Sequence, residues 1–104
     1  MDIQVYQNEA AKTAVFPPDT ALAYTALGLC NETGEYAGKL KKSIRGDALL
    51  DKEAASKELG DVLWYVAACS SALGISLAKI AQDNLDKLAD RHKRGVIKGN
   101  GDER

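Results

Sequence analysis

Residues 30 to 40 read CNETGEYAGKL and set two glutamates, Glu32 and Glu35, three positions apart in a run whose apolar residues recur at helical spacing. Successive helical residues turn by about 100°, so positions i and i+3 lie on one stripe and the two carboxylates project together. Residues 58 to 61, ELGD, repeat the spacing with Glu58 and Asp61. Apolar residues surround both pairs: Ala26, Leu27, Leu29 and Leu40 near the first, Leu59, Val62, Leu63 and Val66 near the second. Neither pair reads as a fully solvated face. Two consecutive half-buried helices carrying matched acidic pairs are the feature from which the fold follows.

Working outward, glycine, proline and aspartate divide the chain into four helical segments, with no alternating run long enough for a sheet. The first spans about residues 2 to 14 and stops before Phe16-Pro17-Pro18, since the residue before a proline resists the helical region. The second starts at Pro18 and closes at Gly46 behind Lys41, Lys42 and Arg45. Asp51 is placed to cap the third, which runs to Gly74, and Ser76 to cap the fourth, which ends at Gly95 behind a basic last turn. The expected class is all-α, a four-helix bundle-like subunit. Residues 1–94 form one domain, and the glycine-rich segment 95–104 is a flexible C-terminal tail.

A chain of 104 residues supports one modest core, and small helical bundles often complete theirs against a second copy, so a homo-oligomer is expected. Fourteen lysines and arginines against 15 acidic residues leave no general electrostatic case for nucleic acid or an anionic membrane as partner. No apolar run approaches the roughly 18 residues of a membrane span, and the first residues lack a basic start followed by an apolar stretch, which makes a cytoplasmic protein the expectation. Cys30 and Cys69 sit in apolar helical stretches without a C-x-x-C pairing and read as reduced core residues.

If the second and third helices are antiparallel neighbours, as their short connection suggests, Glu32, Glu35, Glu58 and Asp61 converge. Four like charges in one place repel unless a cation sits among them, and an all-oxygen ligand set suits Mg²⁺, with Mn²⁺ as the alternative. A carboxylate-bridged di-iron site would need histidines three residues after glutamates, whereas the single histidine, His92, follows Ala89 at that distance. On the fourth helix Asn84, Lys87 and Arg91 share one stripe. Facing the acidic one, this stripe would bind a polyphosphate, with Lys39, Lys42 and Arg45 as a rim. Tyr6, Gln7, Phe16, Trp64 and Tyr65 are candidate walls of a base pocket. Gly34 and Gly60, inside the acidic tetrapeptides, suggest a close approach of the two helices there.

The run Asn31-Glu32-Thr33-Gly34-Glu35-Tyr36-Ala37-Gly38-Lys39, followed after Lys42-Ser43-Ile44-Arg45-Gly46-Asp47 by Glu58-Leu59-Gly60-Asp61-Val62-Leu63-Trp64-Tyr65, closely resembles the MazG-like nucleotide pyrophosphohydrolases. Asn84-Leu85-Asp86-Lys87-Leu88 and Arg91 resemble that family's third element, so the likeness covers at least residues 24 to 94. The resemblance implies Mg²⁺-dependent hydrolysis of nucleoside triphosphates, dNTPs or non-canonical NTPs, between the α and β phosphates, giving monophosphate and pyrophosphate in a house-cleaning role. It further implies Glu32, Glu35, Glu58 and Asp61 as metal ligands, Glu32 or Glu35 as the group that activates water, and Lys39, Asn84, Lys87 and Arg91 as substrate contacts. Family members associate as dimers or tetramers. The alternatives are a dUTPase-like enzyme, a phosphoribosyl-ATP pyrophosphatase relative, or a helical dimer that binds nucleotide or metal without turnover.

Overall fold

The computed structural model describes residues 1–104 and is built of helices without a strand. They are α1 (Ile3–Ala11), a 3-10 turn (Pro18–Thr20), α2 (Ala21–Arg45), α3 (Lys52–Leu73) and α4 (Leu77–Arg94). Side chains begin three of them. The Asp2 carboxylate accepts from the Val5 amide at 2.8 Å, Asp51 from Glu53 and Ala54 at 3.0 and 3.1 Å, and the Ser76 hydroxyl from Lys79 at 3.1 Å. Each such cap satisfies amide donors that the first helical turn leaves open and stabilises the helix by about 1 kcal/mol. Left-handed glycines end the three long helices, Gly46, Gly74 and Gly95, where a side chain at C′ would be strained.

Helix α1 stops three residues short of the expected position 14. The reason is tertiary, because the Thr13 hydroxyl receives the Trp64 indole N–H at 2.8 Å while donating to the Ala10 carbonyl. Further along, Pro18 opens a 3-10 turn ahead of α2.

Contacts along α2 and α3 run in opposite senses: Gly28 lies against Tyr65, and Lys39 reaches Glu58, so the two helices are antiparallel neighbours as expected. Helix α1 packs on α3 and is tied to the α3–α4 corner by Gln7. Its amide N–H₂ faces the Ser70 and Ser71 hydroxyls and the Ile75 carbonyl at 3.1 to 3.2 Å, and its carbonyl accepts from Leu77 N at 2.8 Å. A buried amide with all its groups used is a structural clasp, and the base-pocket role considered for Gln7 gives way to it.

Between α3 and α4 the chain turns through 103°, and α4 touches α1 and α3 but not α2. The subunit is therefore an antiparallel pair with α1 packed on α3 and α4 turned away, more open than the expected bundle. Its radius of gyration is 16.5 Å, against about 13 Å for a compact chain of this length. Only seven residues are buried, and just three of those, Ala55, Ala67 and Leu77, are apolar. Leu22, Leu27 and Leu85 each remain about 60 to 70% exposed. Cys30, expected in a core, is exposed; it and Cys69 are both free thiols. No single helix is long and apolar enough to cross a membrane.

Candidate active site

The antiparallel pairing sets α2 beside α3 in a register that brings Glu32 opposite Glu58 and Asp61. One carboxylate oxygen from each lies within 4.8 Å of the others, with Glu32 and Glu58 half-buried and Asp61 exposed. Three carboxylates at this separation, from two helices, form a hard, oxygen-only donor set suited to Mg²⁺ or Mn²⁺. Glu35, the fourth expected ligand, stands outside the trio. It is exposed on the next turn of α2, lining a shallow cleft with Asn31, Lys39 and Lys42.

The electrostatics follow from this crowding. Partial burial, and after it the charges of Asp61, Glu58 and Glu35, hold the Glu32 carboxyl above its ordinary range. Lys39 Nζ lies 3.7 Å from Glu58 Oε1 and partly compensates the cluster. Burial and the Asp61 charge push the Tyr6 phenol up. Tyr65 is pushed up by burial, by Tyr24 and by the charges of Glu32 and Asp61. Both tyrosines thus stand beside the carboxylates.

A carboxyl with a raised folded-state pKa holds its proton more tightly in the folded chain than in the unfolded one. Stability from this source is greatest below the ordinary carboxylate range and falls as pH rises toward and through the raised value. Thermal melts in chelator between about pH 4 and 7 should show the wild type losing midpoint temperature with pH relative to Glu32→Gln. Parallel curves for the two proteins would remove Glu32 as the carrier of the strain.

Gly28 is the glycine on which the helix approach depends. A Cβ built there would fall 2.0 Å from Tyr65 Cε1, whereas nothing lies within 4 Å of one at Gly34 or Gly60. The close approach expected at the acidic tetrapeptides therefore occurs one turn earlier on α2. The sequence signal that could have found it is the i, i+4 spacing of Gly28 and Glu32.

Beside the trio lies an aromatic cluster. Phe16 stacks on Tyr24 at 4.9 Å and meets Trp64 edge-on at 6.4 Å, and Trp64 in turn meets Tyr65 at 4.9 Å. Phe16 and Trp64 also wall a cavity of about 410 Å³ whose other side is alanine-rich, with Ala10, Ala14, Ala67 and Ala72. Trp64 follows Asp61 by three residues on α3, so one wall of the cavity stands one helical turn from that carboxylate, and the α3 lining runs on from there to Ala72.

Because α4 does not touch α2, its stripe does not meet the acidic residues of α2 within one chain. Asn84 is exposed, and Lys87 and Arg91 take Asp102 as their ionic partner.

Residues 20–96 match the model of the MazG nucleotide pyrophosphohydrolase domain. Over its full length the chain is 40% identical, across 114 aligned positions, to the Gene 37 protein of Mycobacterium phage L5, whose whole length is also covered. No solved structure matches the chain. With the E-x-x-E and E-x-x-D helices paired at its centre and the domain match spanning that pair, this chain belongs to the MazG nucleotide pyrophosphohydrolase family.

Proposed function

We propose that this chain is a Mg²⁺-dependent nucleoside triphosphate pyrophosphohydrolase, acting on dNTPs or non-canonical NTPs in a cytoplasmic house-cleaning role. The observation that carries the reading is the convergence of Glu32, Glu58 and Asp61 within 4.8 Å in a chain of this family. These three would hold the metal, and the donor set fits it. Bound there, a divalent ion supplies Lewis-acid polarisation of phosphate oxygens and makes water more acidic.

The remaining groups divide the work by position. Glu35, outside the trio and open to solvent, is the group we assign to orient the attacking water and take its proton. Glu32, with its raised proton affinity, is the alternative acceptor. Water attacks the α phosphorus in line; the bond from that phosphorus to the bridging oxygen breaks, and pyrophosphate leaves with the electron pair. Lys39 stands on the phosphate side, and Asn84, Lys87 and Arg91 contact sugar and phosphates. Phe16 and Trp64 supply flat apolar walls on which a base stacks.

Self-association completes the picture. The turned-away α4 and the exposed Leu22, Leu27 and Leu85 fit a subunit that closes its core against a second copy, as dimer or tetramer. In such an assembly the α4 stripe of one copy can face the carboxylates of another.

A panel of NTPs and dNTPs with Mg²⁺ tests the chemistry. Pyrophosphate and a nucleoside monophosphate are expected, and EDTA should abolish both. Release of single phosphates, or no turnover of any member, would sink the proposal. Turnover confined to dUTP or to phosphoribosyl-ATP would move the assignment to those relatives. Sedimentation of the same preparation should give a dimer or tetramer, and a monomer at tens of micromolar would remove the assembly.

A further inference from the structure

The pyrophosphohydrolase reading leaves one well-built feature without a role, the fold-back of residues 95–104 onto α4. Arg104 donates to the carbonyls of Val96, Ile97 and Gly101 at 3.1, 2.9 and 2.6 Å, and its own carbonyl accepts from Arg94. Gly99, at φ +139°, permits the closure, since a Cβ there would stand 3.1 Å from Arg104 Cδ in a backbone region unfavourable to side chains. The closed loop carries Asp102 onto α4. Its Oδ1 lies 2.7 Å from Lys87 Nζ and 3.1 Å from Arg91 Nη2, and its backbone carbonyl takes a further bond from Arg91.

Lys87 and Arg91 are like charges one helical turn apart, a pair that repels unless an anion lies between them. Asp102 is that anion. With it in place the Arg91 side chain is only 6% exposed and its Nε is buried without a partner, while Asp102 itself is 73% exposed. Carboxylate and phosphate make the same demand on such cations, charge-assisted acceptance from Lys and Arg, so the two compete for one place. While Asp102 holds Lys87 Nζ and Arg91 Nη2 together, the acceptor position between the two cations is already taken. The hydrogen bonds from Lys87 and Arg91 also hold the Asp102 carboxyl below its ordinary range, as expected of a carboxylate kept ionised on its partners. The loop beyond residue 96 lies outside the stretch that matches the family domain.

We propose that residues 95–104 form an intramolecular strap whose Asp102 occupies the anion site on Lys87 and Arg91 and must be displaced before a polyphosphate binds there. This rests on the reading of Lys87 and Arg91 as polyphosphate contacts. The strap is displaceable because its ionic bonds involve an exposed carboxylate of one charge, and a polyphosphate brings several. Its effect is to lower the apparent affinity by the fraction of molecules whose site is open.

Inorganic tripolyphosphate, titrated calorimetrically into the full chain with Mg²⁺, tests this without any turnover. Asp102→Asn and Asp102→Ala should bind about three- to tenfold more tightly than the wild type. Adding Lys87→Gln to Asp102→Asn should cancel the gain. In the wild type, tripolyphosphate should speed amide hydrogen exchange at residues 96–104. Equal or weaker binding by both Asp102 variants, or unchanged or slowed exchange in the loop, would overturn the strap. If Lys87→Gln alone weakens binding while neither Asp102 variant strengthens it, the strap falls and the anion site stands. If Lys87→Gln has no effect, both fall. Hydrolytic activity is judged separately by the nucleotide panel.

Discussion

Asp61→Asn is expected to lower pyrophosphate release by at least about a hundredfold, a loss typical of removing a group the reaction chemistry depends on. Asp61 is the hub of the candidate centre. Its oxygen lies within 4.8 Å of those of Glu32 and Glu58, and its charge reaches Glu32, Tyr6 and Tyr65. An asparagine keeps the shape and one oxygen but removes the charge that a divalent ion requires. The helical circular dichroism should be unchanged, because the residue is exposed and caps nothing. In chelator the variant should melt at or above the wild-type temperature, since one of three mutually repelling carboxylates is gone. A variant within a few-fold of the wild-type rate would place the chemistry elsewhere.

The second large effect concerns packing. Gly28→Val should destabilise the fold by about 2 to 3 kcal/mol, the upper range for forcing extra carbon atoms into a filled contact. A Cβ at that position falls 2.0 to 2.6 Å from three atoms of the Tyr65 ring. The ring is not free to swing aside, being packed edge-on against Trp64 at 4.9 Å. For a chain of this size the loss corresponds to roughly 10 to 20 °C in melting temperature. Gly34→Ala and Gly60→Ala should behave oppositely, gaining about 0.5 to 1 kcal/mol from helix propensity because a Cβ there meets nothing within 4 Å. Thermal melts of the three variants decide it. A Gly28→Val protein as stable as the wild type would mean that α2 and α3 do not meet at this register. Gly34→Ala or Gly60→Ala proteins that lose stability would mean that a second copy covers those positions.

The difference between these glycines shows where the sequence stops being informative. Chemically, Gly28, Gly34 and Gly60 look alike, each a helix-weakening residue near an acidic pair. Which of them faces a neighbour depends on how far each helix is rotated about its own axis, and neighbouring side chains on the other helix determine that rotation. The same indeterminacy explains Glu35. The i, i+3 spacing places it on a stripe with Glu32, but the two positions differ by about 60° around the helix axis. That angle separates a carboxylate pointing toward α3 from one pointing at solvent.

What the sequence by itself determined is local: four helices, their caps at Asp51 and Ser76, their glycine stops, and the acidic tetrapeptides that mark the family. These follow from interactions within one turn of chain, which composition and spacing encode directly. Tertiary structure alone decided that Glu32, Glu58 and Asp61 converge without Glu35, that α4 turns away from α2, and that Asp102 rests on Lys87 and Arg91. Each of these is a contact between residues far apart in the chain or a choice between two faces of a helix. Such choices are made by the packing of the whole subunit, to which many weak contacts contribute and for which no single residue carries the signal.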